Sequence, residues 1–293
     1  MVRINLLDAI ELHLPRGCTI QGKLGDGATS SVYLASRAGG TDRLAVKVML
    51  TGTVTDESLD RFVREMQILE KLEHPGIPRL LEAGEANGSL FFTMPYIEGE
   101  TLRARLSRVG RFSVSEALAV ARDIGDVLDY AHSRGVVHRD VKPANIYLST
   151  HRAYLMDFGL AYISENGAES GRGAANMMAG TPEYMSPEQA AGDGSEDWRS
   201  DFFSLGCVLF ELLAGKTAFG GETVRETIAR RLRSSAPDIR THRPDVPDDV
   251  AAILRRTLDP HPAGRYPTGA LLRGALDAAL AQTTSVVRSS AAF

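Results

Sequence analysis

Along this chain short, strand-rich blocks give way near residue 100 to long helical stretches, and that shift limits the possible folds more than any other feature. Cys18 to Leu24, Val32 to Ser36 and Leu44 to Leu50 alternate or run apolar in short blocks, as strands do. Leu59, Phe62, Val63, Met66, Leu69 and Leu72 then recur at threes and fours behind Thr55 and Asp56, either of which can cap a helix. His74, Pro75, Gly76 and Pro78 stop that helix. Leu80 to Glu82 and Leu90 to Met94 read as two further strands joined by a turn at Asn87 and Gly88. From Thr101 the period is helical, over Val114 to Ser133, Ser200 to Ala214, Glu222 to Arg233, Asp248 to Leu258 and Pro267 to Ala281. The expected fold is α+β and bilobal. A small antiparallel-sheet lobe with one helix takes residues 1–94, a hinge 95–100 and a larger, mainly helical lobe 101–281, with 282–293 a flexible, polar tail. Ligands tend to bind where two such lobes meet.

Composition removes some partners. With 293 residues, 43% of them hydrophobic, the chain can bury a large core. Its 33 basic and 37 acidic residues leave a net charge of −4, so no global positive field exists to hold nucleic acid or an anionic membrane. Cys18 and Cys207 are the only cysteines, lack metal-binding spacing, and are expected to be buried free thiols. No apolar stretch reaches the ~18 residues of a membrane span, and none follows a basic start. The expectation is a cytoplasmic chain with no membrane contact from this segment.

Chemistry concentrates in one stretch. His138 to Ile146 reads HRDVKPANI, and DFG follows at Asp157, Phe158 and Gly159. Together they offer a carboxylate that can take a proton, two oxygen donors suited to magnesium, and a lysine to offset phosphate charge, the set that phosphoryl transfer from ATP requires. Earlier, LGDGATSSVY (Leu24 to Tyr33) places Gly25 and Gly27 between two strands. Without β-carbons the backbone amides there can approach phosphate oxygens, although a plain hairpin uses the same residues. Lys47 interrupts the apolar strand LAVKVM, either as a functional cation or as an edge residue whose stem snorkels to water.

These motifs, with GTPEYMSPEQ at Gly180 to Gln189, resemble those of the eukaryotic-type (Hanks-type) protein kinases, most of all the bacterial serine/threonine branch, from about Gly17 to Ala281. The resemblance implies a protein serine/threonine kinase that uses ATP with Mg2+, or Mn2+, acts on protein substrates and phosphorylates itself. It assigns nucleotide binding to Leu24, Gly25, Asp26, Gly27, Ala28, Thr29, Ser30, Ser31 and Val32, and to Ala45, Lys47, Met94, Pro95 and Ile97. Lys47 would hold the α- and β-phosphates, oriented by Glu65. Met94 would limit the adenine pocket, Pro95 offer a carbonyl and Ile97 an amide. Asp140 would accept the hydroxyl proton, Lys142 would sit by the γ-phosphate, and Asn145 and Asp157 would hold the metal. Glu188 would pair with Arg265, and Asp201 would accept catalytic-loop amides. Lys142 and Thr181 mark the serine/threonine branch. Relatives also pair back to back through the strand-rich lobe, which implies a possible homodimer.

The chain departs from the family pattern in three places. Ser30 stands where a third glycine is usual, and Ser186 where alanine more often precedes the proline. Arg139 marks members switched on by a phosphate, yet GAANMMA before Gly180 has no hydroxyl residue. Activity is therefore expected not to require phosphorylation there, with Ser170 the alternative acceptor, Ser164 also lying upstream and Glu169 offering a fixed negative charge. Two other readings stay open. One is a pseudokinase scaffold; the other is a small-molecule phosphotransferase, which would share the HxD and later Asp but lack GTPEYMSPE.

Overall fold

Two compact units span Met1–Glu98 and Gly99–Phe293. The structure, a computed structural model, describes residues 6–15, 17–27, 30–37, 42–49, 55–158, 162–163, 182–192, 194–233 and 235–290.

In the first unit, β1 (Cys18–Asp26), β2 (Ser30–Arg37), β3 (Arg43–Met49), β4 (Glu82–Ala86) and β5 (Ser89–Pro95) form an antiparallel sheet in the order β1-β2-β3-β5-β4. Alternation gives this sheet two different faces. Leu44, Val46 and Val48 of β3 point into a core with Ala35 and Phe91, and a short helix α1 (Leu6–Glu11) adds Ala9 and Ile10 to it. The opposite face carries Lys47. Directly opposed residues share a face, so the register of Val32 with Lys47, Lys47 with Phe92 and Ala45 with Met94 puts all five together. Helix α2 (Asp56–Lys71) covers that face, with the Phe62 ring 5.3 Å from that of Phe92.

Two elements differ from the sequence expectation. The strand expected at Leu80–Glu82 instead runs Glu82–Ala86, because the turn at Asn87 and Gly88 fixes the register with β5 and pairs Glu82 with Thr93. Its residues EAGEA carry no apolar alternation because β4 is an edge strand, and Leu81 before it is 44% exposed. Helix α1 was not anticipated; six residues are too few for a period to register.

The second unit begins with β6 (Glu100–Thr101), α3 (Leu102–Val109) and α4 (Val114–Ser133), the last started by a reciprocal cap between Ser113 and Glu116. Short strands β7 (Val136–Val137), β8 (Ile146–Leu148), β9 (Ala153–Leu155) and β10 (Tyr162–Ile163) follow, with β6-β8-β9 one small sheet and β7 paired to β10. Then come α5 (Pro187–Ala191), α6 (Arg199–Ala214), α7 (Val224–Arg233), α8 (Asp248–Thr257) and α9 (Gly269–Ser290). Helix α6 is buried on every face from Ser200 to Leu213, as a central helix must be, and its polar residues Ser200, Asp201, Ser204 and Glu211 are buried with the rest. Helices α4 and α8 pack against it, and α9 packs on α4. Gly206 permits the approach of α8, since a β-carbon there would lie 2.8 Å from Thr257 Oγ1. The expected loose tail is also revised: α9 continues from Gln282 to Ser290, a stretch with no glycine or proline to stop it. Both cysteines are buried and free. Among the described residues no helix is long and apolar enough to cross a membrane.

A dry ion pair fastens α5 to this unit. Arg265 Nη1 and Nη2 donate to the two Glu188 oxygens at 2.6 and 2.8 Å, and the side chains are 0% and 5% exposed. The pair's remaining hydrogen-bonding capacity is taken by Ser200 Oγ on Glu188 at 2.6 Å and by the Asp259 carbonyl on Arg265 Nε at 2.8 Å. Burial alone would raise the Glu188 pKa, but Arg265 and Ser200 outweigh it and hold the carboxyl below the usual glutamate range. Arg265→Met, which strands a buried charge, is expected to destabilise this unit by about 3–5 kcal/mol in urea unfolding. Because the folded pKa is depressed, the stability gap between wild type and Glu188→Gln should be constant near neutral pH and shrink as pH falls below the ordinary glutamate range.

Candidate active site

In the first unit the chemistry rests on one cation. Lys47 stands between Val46 and Val48, both fully buried, and its Nζ donates to Glu65 Oε2 of α2 at 2.6 Å. The two side chains are 14% and 5% exposed, and Nζ lies 5.5 Å from the centre of the Phe92 ring. So dry a pair gains from any further polar group that reaches it, a phosphate above all. Val32, Ala45 and Met94 lie on the same sheet face as Lys47. Leu24 occupies the bulge between the pairs Lys23–Tyr33 and Gly25–Val32 and is 45% exposed.

The β1–β2 turn is tied down before its glycines can serve. The Gly27 amide donates to the Ser30 carbonyl at 2.7 Å, and Ser31 Oγ to Asp26 Oδ1 at 2.6 Å. Lys23 and Ser31 together hold the Asp26 carboxyl below its usual range. A β-carbon at Gly25 would meet nothing within 4 Å, so the backbone there faces open space. After β5, Pro95 is exposed and Ile97 half-buried, while the Tyr96 amide donates to the Arg43 carbonyl at 3.0 Å. Ala28 and Thr29 lie outside the described residues, as do Gly159, Ser164, Glu169, Ser170, the GAANMMA stretch, Gly180 and Thr181.

In the second unit Asp140, Lys142 and Asn145 come together on the loop between β7 and β8. Lys142 Nζ donates to Asp140 Oδ2 at 2.7 Å, and Asn145 Nδ2 to the same oxygen at 2.9 Å and to the Asp140 carbonyl at 2.9 Å. Among the described residues, both hydrogen bonds to the carboxylate therefore fall on Oδ2, and Oδ1 is left for an incoming donor. Asn145 Nδ2 is committed, which leaves its Oδ1 to face a cation. The Met156 amide donates to the Asn145 carbonyl at 2.8 Å, setting Asp157, which is exposed, next to the loop in sequence and in hydrogen bonding. No cluster of three His, Cys, Asp or Glu suited to a metal occurs among the described residues. An amide oxygen and a carboxylate instead suit a hard cation that takes its other ligands from phosphate and water.

A deeper layer supports this loop. His138 is buried, stacks edge-on against Phe158 at 4.7 Å, accepts the Asp140 amide on Nδ1 at 3.2 Å, and so carries its proton on Nε2, 3.0 Å from the Met156 carbonyl. Asp201, fully buried at the start of α6, accepts the His138 amide at 2.9 Å, the Arg139 amide at 2.8 Å and His132 Nε2 at 2.8 Å. Burial opposes its ionisation, but the His132 and His138 contacts prevail and hold its pKa below the usual aspartate range.

The segment 182–189 is fastened by residues that the sequence reading did not single out. Tyr184 donates its hydroxyl to Glu211 Oε2 at 2.5 Å, Arg103 Nη1 donates to Glu211 Oε1 at 2.9 Å, and Arg103 Nη2 also bonds the Tyr184 hydroxyl. Burial, then the Glu211 charge, push the phenol upward, so it remains a donor. The Arg103 amide donates to the Pro143 carbonyl at 3.0 Å, joining this triad to the Asp140 loop. Arg231, 2% exposed, donates to the Glu183 carbonyl at 2.6 Å with its guanidinium 4.7 Å from the Phe219 ring centre. Arg103 and Glu211 are 108 residues apart, and nothing in local spacing links them. The unusual Ser186 has a clear role: its hydroxyl accepts the Gln189 amide at 3.2 Å and Gln189 Oε1 accepts the Ser186 amide at 2.9 Å, a cap that starts α5.

The model of the protein kinase domain matches residues 18–274 of this chain. The chain is 37% identical over 261 residues to serine/threonine-protein kinase PknB of Mycobacterium tuberculosis, which is 86% of this chain and 41% of that protein. It is 33% identical over 247 residues to serine/threonine-protein kinase PrkC of Bacillus subtilis, covering 84% and 38%. It is 35% identical over 257 residues to the DNA damage-responsive serine/threonine-protein kinase RqkA of Deinococcus radiodurans, covering 85% and 37%. The chain thus spans about two fifths of the length of these relatives. A sheet unit carrying a Lys–Glu pair, a helical unit carrying the Asp140 loop, and a family match over nearly the whole length agree: the chain belongs to the protein kinase family.

Proposed function

We propose that this domain transfers the γ-phosphoryl group of ATP to serine and threonine hydroxyls of proteins, its own among them. The observation that carries this reading is the Asp140 carboxylate, with Oδ2 bonded to Lys142 and Asn145 and Oδ1 presented to an acceptor. In the reaction the acceptor oxygen forms a bond to the γ-phosphorus while the bond from that phosphorus to the bridging oxygen of ADP breaks. Asp140 orients the hydroxyl and takes its proton. Lys142, already beside Asp140, offsets the negative charge that develops on the transferring group. Lys47, held by Glu65, binds the α- and β-phosphates and keeps the leaving end still. Asn145 and Asp157 are the residues to hold magnesium, which when bound would neutralise phosphate oxygens. The fastening of segment 182–189 supports a protein acceptor, since a peptide needs a firm surface beside Asp140. The printed names of the three relatives support serine and threonine as the acceptors.

Phosphate incorporation from radiolabelled ATP into a generic basic protein tests the reading. Asp140→Asn is expected to lower the rate by about 10²–10⁴-fold, the range that a general base contributes. A variant that keeps the wild-type rate rejects the assignment, and labelling of an aminoglycoside in place of every protein rejects the substrate class. Lys47→Met should lower kcat/KM by about 10²-fold or more while the Asp140 loop is unchanged. Chelation of divalent metal should abolish transfer, with magnesium restoring it in wild type but far less well in Asp157→Asn.

A further inference from the structure

We propose that Glu196 is a positioning residue of this reaction: its carboxylate holds Arg139, and so holds the adjoining Asp140 in place, with a charge the chain itself supplies. The inference rests on the phosphotransfer reading above. Arg139 has φ 69°, a left-handed conformation that a long side chain does not adopt unaided. Its amide, carbonyl and guanidinium are each bonded by a residue of the span from α5 to α6. Asp201 Oδ1 accepts its amide at 2.8 Å, Gln189 Nε2 donates to its carbonyl at 3.1 Å, and Glu196 accepts from its guanidinium Nη2. Gln189 is in turn fixed by the Ser186 cap and Asp201 by burial at the head of α6. Of the three, Glu196 alone bonds the side chain and alone sits on a stretch outside any helix, just ahead of α6.

This pair is expected to matter to rate more than to folding. The Arg139 and Glu196 side chains are 27% and 22% exposed, so water still reaches the pair, and its share in global stability is expected to be smaller than that of the dry Arg265–Glu188 pair. The peptide that follows Arg139 carries the Asp140 amide, so a rotation at Arg139 displaces the carboxylate that receives the proton. Displacements near 1 Å at a reacting group can cost about 10²-fold in rate. Since a carboxylate already neutralises Arg139, the loop does not require a phosphate added at that arginine.

The test uses the whole chain with ATP, magnesium and a protein acceptor. Glu196→Gln is expected to lower kcat about tenfold or more with KM for ATP within about twofold, because Lys47 and its sheet are untouched. Arg139→Gln should lose at least as much, and the double variant no more than Arg139→Gln alone, since both remove one interaction. Protein phosphatase treatment of wild type should leave kcat within about twofold. The inference is overturned by a Glu196→Gln kcat within twofold of wild type, by losses that multiply in the double variant, or by a tenfold loss on dephosphorylation. It also fails if Glu196→Gln lowers the thermal midpoint by more than about 5 °C, the size of a core defect. A wild type that transfers no phosphate at all sinks the functional reading itself, an outcome distinct from an active wild type matched by Glu196→Gln.

Discussion

A carboxylate at the head of a buried helix sets the geometry on which the rest of the helical unit turns. Asp201 has no exposure, yet its two oxygens accept three donors, two of them backbone amides of the loop that carries Asp140. A buried charge is tolerable only when it is hydrogen-bonded on all sides, and that requirement works in reverse as well. Any shift of the loop would leave Asp201 short of donors in a dry site, so the loop is held by the cost of disturbing the helix. Helix α6 can serve as this anchor because it is buried from Ser200 to Leu213 and packed by α4 and α8.

Two dry ion pairs, Arg265–Glu188 and Lys47–Glu65, differ in what they leave open. Arg265 is wholly buried, and its guanidinium is bonded to Glu188 and to the carbonyls of Asp259, Pro260 and Arg199. Such a pair is saturated and can only be structural. Lys47 keeps 14% of its side chain exposed, and an ammonium with three donors can engage phosphate oxygens without leaving Glu65. Burial of both kinds is costly, and in each case the cost is offset by fixing an element: α5 in the first, α2 against its sheet in the second.

Much of this was legible in the sequence where the determinants are local. Val114–Ser133 carries its cap and its period within itself, and the strand blocks around Lys47 declare their alternation. HRDVKPANI is legible because its groups meet within eight residues; the bonds from Lys142 and Asn145 to Asp140 span two and five positions. The misses share the opposite property. Strand β4 owes its place to a turn and a neighbour, not to its own residues EAGEA. Tyr184, Arg103 and Glu211 come from three distant elements, and each reads alone as an ordinary helix or loop residue. Glu196 reads as one acid among several in GDGSED, and only the fold brings it to Arg139.

Backbone strain marks the two positions that these constraints converge on. Besides Asn87 in its hairpin turn, the non-glycine residues with positive φ among those described are Arg139 and Asp157, which adjoin or belong to the set assigned to the reaction. Each such conformation costs about 1–3 kcal/mol and persists only where its surroundings determine it more than once. Arg139 is determined by three side chains. Asp157 is determined from both flanks, since the Met156 amide donates to the Asn145 carbonyl and the Met156 carbonyl accepts a hydrogen bond from His138 Nε2, while Phe158 is buried edge-on against the same histidine. His138 therefore reads both strained sites at once: its amide answers to Asp201 on the Arg139 side, and its ring answers to Met156 and Phe158 on the Asp157 side. A residue with no chemistry of its own thereby fixes the spacing between Asp140, the proposed proton acceptor, and Asp157, the carboxylate proposed to hold metal. That is why a buried histidine, and not a hydrophobic residue of equal size, stands at the head of the loop.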